Sequence, residues 1–202
     1  MLLREPGTGR WVVTSPEVTR GWRVEGEIPP PYPEWLGDRS FAAAHGTRFT
    51  YVAGSMANGI ASPALVAAVA LTAGLGFFGA AGLAYSRIEA GWTHSPSCSS
   101  PGNPGAPTLI HAPNEPKLEA RTAALYPARG VRFVEVSAFM DLTPTVVHVA
   151  CAGVRAGPDG SPSRPRAILA KVSRTEVARR FLSPAPPGLL QPLVAQGQPH
   201  RG

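Results

Sequence analysis

A row of small residues follows the first predicted strand, at a point where the chain could meet a ligand. The row consists of Ala53, Gly54, Ser55, Met56, Ala57 and Asn58. Binding loops gather at the carboxyl ends of parallel strands in a (β/α) barrel. Small side chains and backbone N–H groups at such an end could lie against a flat ring. A tight turn that merely requires small residues is the alternative interpretation.

Four further candidates stand at or near the ends of later predicted strands. Lys171 would bring a fixed cation to the same edge, where it could stabilise negative charge, or its ammonium could simply extend into solvent. Thr108 and His111 belong to the segment PTLIHA. His111 could contact a ligand or serve as a structural histidine, and Phe139 could line an apolar pocket or pack in the core.

Gly74, Gly76 and Gly79 spell the glycine pattern of a dinucleotide-binding loop. That pattern is meaningful only after a strand and at the start of a helix. Here it precedes a predicted strand and runs through it. We therefore interpret these glycines as packing positions, with Gly79 and Ala80 leaving room beside a bound group.

Other chemistries lack their motifs in this sequence. His45, His94, His148 and His200 do not have the spacing of metal ligands, and neither a nucleophile elbow nor a phosphate-binding loop is present. The sequence therefore gives no ground for a metal site.

The chain alternates predicted strands and helices about five times. The strands are FTYVAGSM, LGFFGA, PTLIHA, VRFVEVSAF and AILAKVS. The helix starts are marked by Ser62-Pro63, Asn114 with Pro116, Thr143-Pro144, and a capping box of Ser173 and Glu176, with a less clearly marked helix near 85–90. This order predicts an α/β fold with a parallel sheet. Spacing alone permits either a doubly wound sheet or the start of a barrel.

The length, composition and net charge limit the kinds of protein that this chain can be. The 202 residues are 44% hydrophobic, carry a net charge of +6, and include 23 prolines and 22 glycines. The positive charge could favour binding to nucleic acid, to an anionic membrane or to an acidic protein. The sequence has no Lys/Arg-rich run, so nucleic acid is the weaker interpretation. Cys98 and Cys151 lack a C-x-x-C partner, and the opening residues lack the apolar region of a signal peptide. We therefore expect a reduced, cytoplasmic protein.

The stretch between Arg48 and Arg87 contains no charged residue and is long enough to suggest a membrane span. Against that alternative, Ser62-Pro63 is a helix start within the run. Gly74 and Gly76 then end the helix. We therefore predict a helix of about a dozen residues followed by a buried strand.

Six segments together resemble one protein family. They are YPEWLGDRSF (32–41), YVAGSMANGIAS (51–62), LGFFGAAGL (75–83), LIHAPNEPKLE (109–119), VEVSAFMDLTP (134–144) and AKVSRTEVARRFLSPAP (170–186). They are similar to the trans-acting enoyl reductases of polyunsaturated-fatty-acid and polyketide synthases. Those proteins are relatives of the nitronate monooxygenase (2-nitropropane dioxygenase-like) flavoproteins. The resemblance extends over about residues 30–195 and keeps the family's order of motifs.

The resemblance implies a (β/α)8 TIM barrel that binds FMN, uses NADPH, and reduces an enoyl thioester held by the acyl carrier protein of a modular synthase. It assigns cofactor binding to residues 53–58, Gly79, Thr108 and Lys171, with Lys171 near the N1–C2=O side of the flavin. His111 and Phe139 would contact the substrate. We therefore expect a lead-in segment at 1–48, a partial FMN-binding barrel at 49–183 and a frayed tail at 184–202.

The chain departs from the family pattern in three respects. Thr108 stands where the family usually has asparagine, and residues 91–107 are of low complexity where a helix is expected. Family members also continue past position 202, with an acidic, glycine-rich strand ending in a catalytic histidine and then phosphate-binding loops. From these departures we expect a truncated or frameshifted enoyl reductase with about five of the eight strands. We expect weak or no FMN retention, and no activity unless the missing part is supplied. A non-catalytic fragment that binds a synthase or carrier protein, or a small membrane protein, are the alternatives.

Overall fold

The structure is a computed structural model, and it describes residues 1–93, apart from positions 16, 18, 19, 30 and 31, and residues 105–195. The chain forms two compact units, Met1–Leu36 and Gly37–Gly202. Most of the predicted low-complexity segment, with His94 and Cys98, lies outside the described residues, and so does the end of the predicted tail with His200.

The unit Met1–Leu36 is a small antiparallel sheet. Its strands are β1 (Leu2–Arg4), β2 (Trp11–Val13) and β3 (Arg23–Gly26), in the order β2-β1-β3. Gly7 and Gly9 have φ angles of 93° and 71° in the turn between β1 and β2, a conformation that glycine adopts without steric cost. A short 3-10 helix follows at Pro33–Trp35.

The second unit is built on a parallel sheet. In the described part of the chain its strands are β4 (Val52–Ala53), β5 (Leu75–Phe78), β6 (Gly105–Ile110), β7 (Phe133–Ser137) and β10 (Ala167–Ala170), in the order β10-β7-β6-β5-β4. Each neighbouring pair is parallel. The helices are α1 (Arg39–His45), α2 (Pro63–Leu71), α3 (Tyr85–Thr93), α4 (Pro116–Ala128), α5 (Pro144–Cys151), α6 (Thr175–Phe181) and α7 (Pro187–Ala195). This arrangement confirms the predicted α/β class and is an incomplete (β/α) barrel.

Two of the predicted helix starts are confirmed in detail. The Ser62 hydroxyl accepts a hydrogen bond from the Leu65 N–H at 3.2 Å and caps α2. The Thr143 hydroxyl accepts one from the Val146 N–H at 3.4 Å and caps α5. Each cap is followed by proline at the first helical position, where the missing N–H costs nothing.

Two other predicted helix caps do not form, although Pro116 is in the first turn of α4 as predicted. Helix α4 begins after Glu115 rather than after Asn114, and no side chain caps it. Helix α6 begins after Arg174, and the predicted capping box of Ser173 and Glu176 does not form. Because α6 starts one residue later than predicted, Arg174 occupies the cap position in place of Ser173, and the Glu176 carboxylate pairs with the Arg174 guanidinium at 2.5 Å.

The strands also differ from the prediction. The first parallel strand is limited to Val52–Ala53, since the chain turns from Gly54 onward and reaches a φ of 57° at Asn58. Two short strands that the sequence did not predict, β8 (Arg155–Ala156) and β9 (Pro162–Ser163), pair antiparallel on either side of a turn that includes Gly160.

The apolar run near position 63 folds as helix α2 followed by the buried strand β5, as predicted, although α2 is only nine residues long. A Cβ atom on Gly76 would lie 3.3 Å from both Val66 Cα and Val69 Cβ, so glycine lets α2 pack closely on the sheet. In the described residues, no helix has the length and apolarity that crossing a membrane requires.

Apolar side chains cover both faces of the sheet. One cluster includes Phe78, Leu109 and Val134 with side chains from the helices. The other contains Leu75, Phe77, Ala106 and Phe133, with Phe41 of α1, Val52, Ala167 and Leu169 packed against it. Successive residues of a strand point to opposite faces, so the second cluster fills the inner side of the incomplete barrel.

Candidate functional site

The predicted binding residues 53–58 form a turn whose shape depends on Gly79. The N–H of Gly79 donates to the carbonyl of Ala61 at 2.9 Å, and the carbonyl of Gly79 accepts from Gly59 at 2.9 Å. A Cβ atom on Gly79 would lie 1.6 Å from the backbone oxygen of Met56. The absence of a side chain at Gly79 therefore lets the end of β5 fit against the turn that follows β4.

Three of the predicted residues, Ser55, Thr108 and Lys171, meet around the carboxylate of Glu135. The Thr108 hydroxyl donates to Oε1 at 3.0 Å, and the Lys171 ammonium lies 3.1 Å from the same oxygen. Ser55 donates twice, from its N–H to Oε2 at 3.3 Å and from its hydroxyl to Oε1. We call these four residues the Glu135 cluster.

The Glu135 cluster joins strands that are far apart in the sheet. Ser55 follows β4 and Lys171 follows β10, and these are the two edge strands. The Lys171 ammonium nevertheless lies 3.3 Å from the Ser55 hydroxyl oxygen. The sheet is therefore curled enough for the carboxyl ends of its two edges to meet across the inner face.

Glu135 is the functional candidate that sequence reasoning missed. Its side chain has 0% exposure, whereas that of Lys171 is 45% exposed. The available signal was a single acidic residue in the apolar strand FVEVS, because carboxylates are almost never fully buried unless they are paired. The partners themselves could not be found from a local pattern.

His111 is held by a second buried carboxylate, Glu119 of α4. The distance from His111 Nδ1 to Glu119 Oε2 is 3.0 Å, and the Ala112 N–H donates to the same oxygen at 2.8 Å. The Thr145 hydroxyl donates to the other oxygen. Burial alone would raise the pKa of Glu119, but the hydrogen bonds from Thr145, Ala112 and His111 outweigh it and lower the pKa. This clamp joins the end of β6 to α4 and α5.

Phe139 lies next to His111, with their ring centroids 4.9 Å apart. It also lines a cavity of about 520 Å³ at the carboxyl ends of β7 and β10, together with Ala138, Met140, Ala170 and Lys171. Ala138 has a φ of 64°, which is costly for a residue with a Cβ atom. The structure thus places Phe139 and Lys171 beside the same cavity.

Thr108 is fixed from both sides. It is 2% exposed, its hydroxyl donates to Glu135, and its carbonyl accepts a hydrogen bond from the Tyr126 hydroxyl at 2.8 Å. Burial raises the pKa of Tyr126, so the phenol remains a donor. Strand β6 is held firmly at this position.

A larger cavity of about 830 Å³ lies at the opposite, amino ends of β7 and β10. Arg132, Arg164, Arg166 and Cys151 are among its lining residues. Burial raises the pKa of the Cys151 thiol, which makes it a poor nucleophile. Among the described residues no group of His, Cys, Asp and Glu side chains could hold a metal ion. In the described part of the chain, the Glu135 cluster and the Glu119–His111 pair both lie toward the carboxyl ends of the strands.

An incomplete α/β barrel with a polar cluster at the carboxyl ends of its strands is the class of protein that the fold and the site define. No protein-family model matches the chain. In structure it is similar to the enoyl reductase domain of MlnA from the macrolactin biosynthesis cluster of Bacillus amyloliquefaciens. The TM-score is 0.76 at 30% identity, over 81% of this chain and 37% of that chain.

Relatives in sequence come from two kinds of synthase. One component of the polyunsaturated fatty acid synthase of Thraustochytrium is 42% identical over 163 residues, which are 81% of this chain and 11% of that protein. The polyketide biosynthesis protein ThaF of Burkholderia thailandensis is 37% identical over 81% of this chain and 14% of that protein. PksE of Bacillus subtilis is 32% identical over 82% of this chain and 22% of that protein.

These comparisons confirm the resemblance predicted from the sequence motifs. The chain is related to components of polyunsaturated fatty acid synthases and to polyketide biosynthesis proteins, and it shares the fold of part of an enoyl reductase domain. It spans between 8% and 22% of the length of the four curated relatives.

Proposed function

We propose that this chain takes part in the FMN-dependent reduction of an enoyl thioester for a polyketide or polyunsaturated-fatty-acid synthase. NADPH is the reductant in this proposal, and the substrate is an α,β-unsaturated acyl group on an acyl carrier protein. The observation that carries the proposal is the likeness to the MlnA enoyl reductase domain, with a TM-score of 0.76.

The residues at the carboxyl ends fit the ring of a flavin. Gly54, Met56, Ala57 and Asn58 are exposed and mostly small, so a flat ring could approach the backbone there. The Lys171 ammonium lies 3.3 Å from the hydroxyl oxygen of Ser55, in the same row, and the Lys171 side chain is 45% exposed. A cation next to a flavin stabilises negative charge on the ring.

Each remaining residue has a definite part in this proposal. Bound FMN would supply the hydride transfer from NADPH to the β-carbon of the thioester, and the α-carbon would take up a proton. Ala53, Ser55 and Gly79 shape the turn against the ring, and Thr108 supports the site through Glu135. Phe139 borders the cavity for the acyl chain, and His111 is placed beside Phe139 to contact the thioester.

Flavin binding tests the first part of the proposal. We expect the purified chain to quench FMN fluorescence on titration, and Lys171→Met to weaken that binding about tenfold through the loss of one charge-assisted contact. Lys117→Met is the matched control, because Lys117 is the other lysine of the chain and is exposed on α4. Absence of FMN binding, or equal affinity in Lys171→Met, would contradict the assignment.

Reduction of a carrier-bound enoyl thioester tests the second part. We expect NADPH consumption and a saturated product when this chain replaces the matching segment of the MlnA enoyl reductase domain in a chimera. The unaltered MlnA domain gives the reference rate. A folded chimera that binds FMN but leaves the thioester unsaturated would refute a role in enoyl reduction.

Docking on a carrier protein without catalysis is a second candidate, favoured by the net charge of +6. An acidic carrier would then bind with an affinity that falls as salt is added. Carrier binding by a chain that binds no FMN would select this function over the first.

A further inference from the structure

Glu135 is a buried charge whose presence the fold alone does not explain. Burying a carboxylate costs several kcal/mol even after relaxation, and Glu135 has no exposed surface. Exchanging a buried ion pair for apolar residues of similar volume is often neutral or stabilising. A strand position that only had to fill the inner face would therefore be served as well by an apolar residue.

Every hydrogen-bond or ion-pair partner described for Glu135 is one of the residues proposed to bind the flavin (53–58, Gly79, Thr108 and Lys171), which we call the flavin cradle. Ser55 comes from the end of β4, Thr108 from β6 and Lys171 from the end of β10. Lys171 is the partner that reaches solvent. Its ammonium contacts both the Glu135 carboxylate and the Ser55 hydroxyl oxygen. These two groups therefore determine the position of the Lys171 ammonium.

We propose that Glu135 is a positioning residue that holds the Lys171 ammonium beside Ser55 and partly offsets its positive charge there. This inference rests on the proposed function. With Glu135 in place, the cradle carries a cation and an anion together. Without Glu135, the Lys171 charge would act on a bound flavin at full strength and would favour its anionic reduced form.

Amine labelling tests the positioning without any flavin. The chain has two lysines, Lys117 and Lys171, so Lys117 is an internal reference when acetylation by an activated ester is followed by peptide mass spectrometry. We expect Glu135→Gln to raise the labelling rate of Lys171 relative to Lys117 several-fold. Glu119→Gln, which removes the other buried carboxylate, should leave that ratio unchanged. An unchanged ratio in Glu135→Gln would overturn the proposal.

A pair of further variants covers the case in which Glu135→Gln does not fold. Lys171→Met leaves the buried carboxylate without its cation, so its thermal midpoint should fall by several degrees. The double variant Glu135→Met/Lys171→Met removes both charges and should recover part of that loss. Equal or lower midpoints in the double variant would count against the pairing.

Flavin affinity tests whether Glu135 offsets the Lys171 charge. We expect Glu135→Gln to increase the preference for reduced over oxidised FMN by roughly tenfold, with Glu119→Gln as control. The proposal would be overturned if Glu135→Gln bound FMN with the same preference for the reduced over the oxidised form as the wild-type protein. If no variant binds FMN, the proposed function fails, whereas the labelling ratio still decides whether Glu135 positions Lys171.

Discussion

Glu135 and Glu119 are both buried carboxylates, but their hydrogen-bond partners differ and so do their structural roles. Glu135 gathers donors that follow or lie within three strands of one sheet. Glu119 gathers the His111 ring, the Ala112 N–H and the Thr145 hydroxyl, and so ties a strand end to two helices. The first surrounds a place where a ligand could bind, and the second stabilises the frame around it.

Glu119→Gln should destabilise the protein in a pH-dependent manner. The lowered pKa of Glu119 means that its stabilising effect is complete above the unfolded-state pKa, near pH 4, and is lost as pH falls through the folded-state value. We expect the free energy of unfolding to fall by about 1–3 kcal/mol at neutral pH. The difference from wild type should narrow in acid.

Urea denaturation at several pH values measures this effect. Glu115→Gln is the control, since Glu115 is exposed on the same helix start and its side chain makes no cap. A pH-independent loss in Glu119→Gln would show that the carboxylate charge is not what stabilises the clamp.

Helix α2 is the element whose start and packing are most clearly specified by individual residues. Ser62 caps it, Pro63 starts it, and Gly76 on β5 leaves the space into which it packs. The apolar residues of α2 surround it on all sides, so periodicity gives little information about which face is buried. The cap and the glycine supply the information that periodicity lacks.

Ser62→Ala should lower the free energy of unfolding by about 1 kcal/mol, because the Leu65 N–H loses its acceptor at the helix start. In a chain of this size the thermal midpoint should fall by about 2–4 °C. Arg174→Ala at the start of α6 is the comparison, since no side chain caps that helix. Similar losses in both variants would argue against a capping role for Ser62.

The sequence predicted those features that depend on neighbours along the chain. The caps at Ser62 and Thr143 each need only the next three residues, and both were found. The predicted cap at Ser173 was wrong because Arg174, and not Ser173, occupies the position before α6. Glu135 was missed because its hydrogen-bond partners Thr108 and Ser55 lie 27 and 80 positions away along the chain. No sequence pattern predicts a contact between residues that far apart.

In the second unit, the two edges of the parallel sheet are joined by polar contacts of the Glu135 cluster. Strands β4 and β10 are at opposite ends of the sheet order, and Ser55 and Lys171, which follow them, lie in contact with each other. Ser55 is bonded to Glu135 and lies against Lys171, so its hydroxyl should stabilise both edges together.

Ser55→Ala should therefore loosen both edge strands at once. We expect amide hydrogen exchange in 52–53 and 167–170 to accelerate about tenfold, corresponding to roughly 1.4 kcal/mol for the lost buried hydrogen bond. Ser183→Ala is the control, because the Ser183 hydroxyl donates to the carbonyl of Arg179 on an exposed surface. Acceleration confined to 52–53 would contradict the link between the edges.

The contact between Ser55 and Lys171 also has a consequence for how the protein folds. It joins residues 116 positions apart, and closing so long a loop costs chain entropy that local helices do not pay. Most of the β-strands and helices between the two residues can form earlier from shorter contacts. We therefore expect the Glu135 cluster to assemble late in folding. In refolding protein, the rate of Lys171 acetylation should fall only when the native state forms.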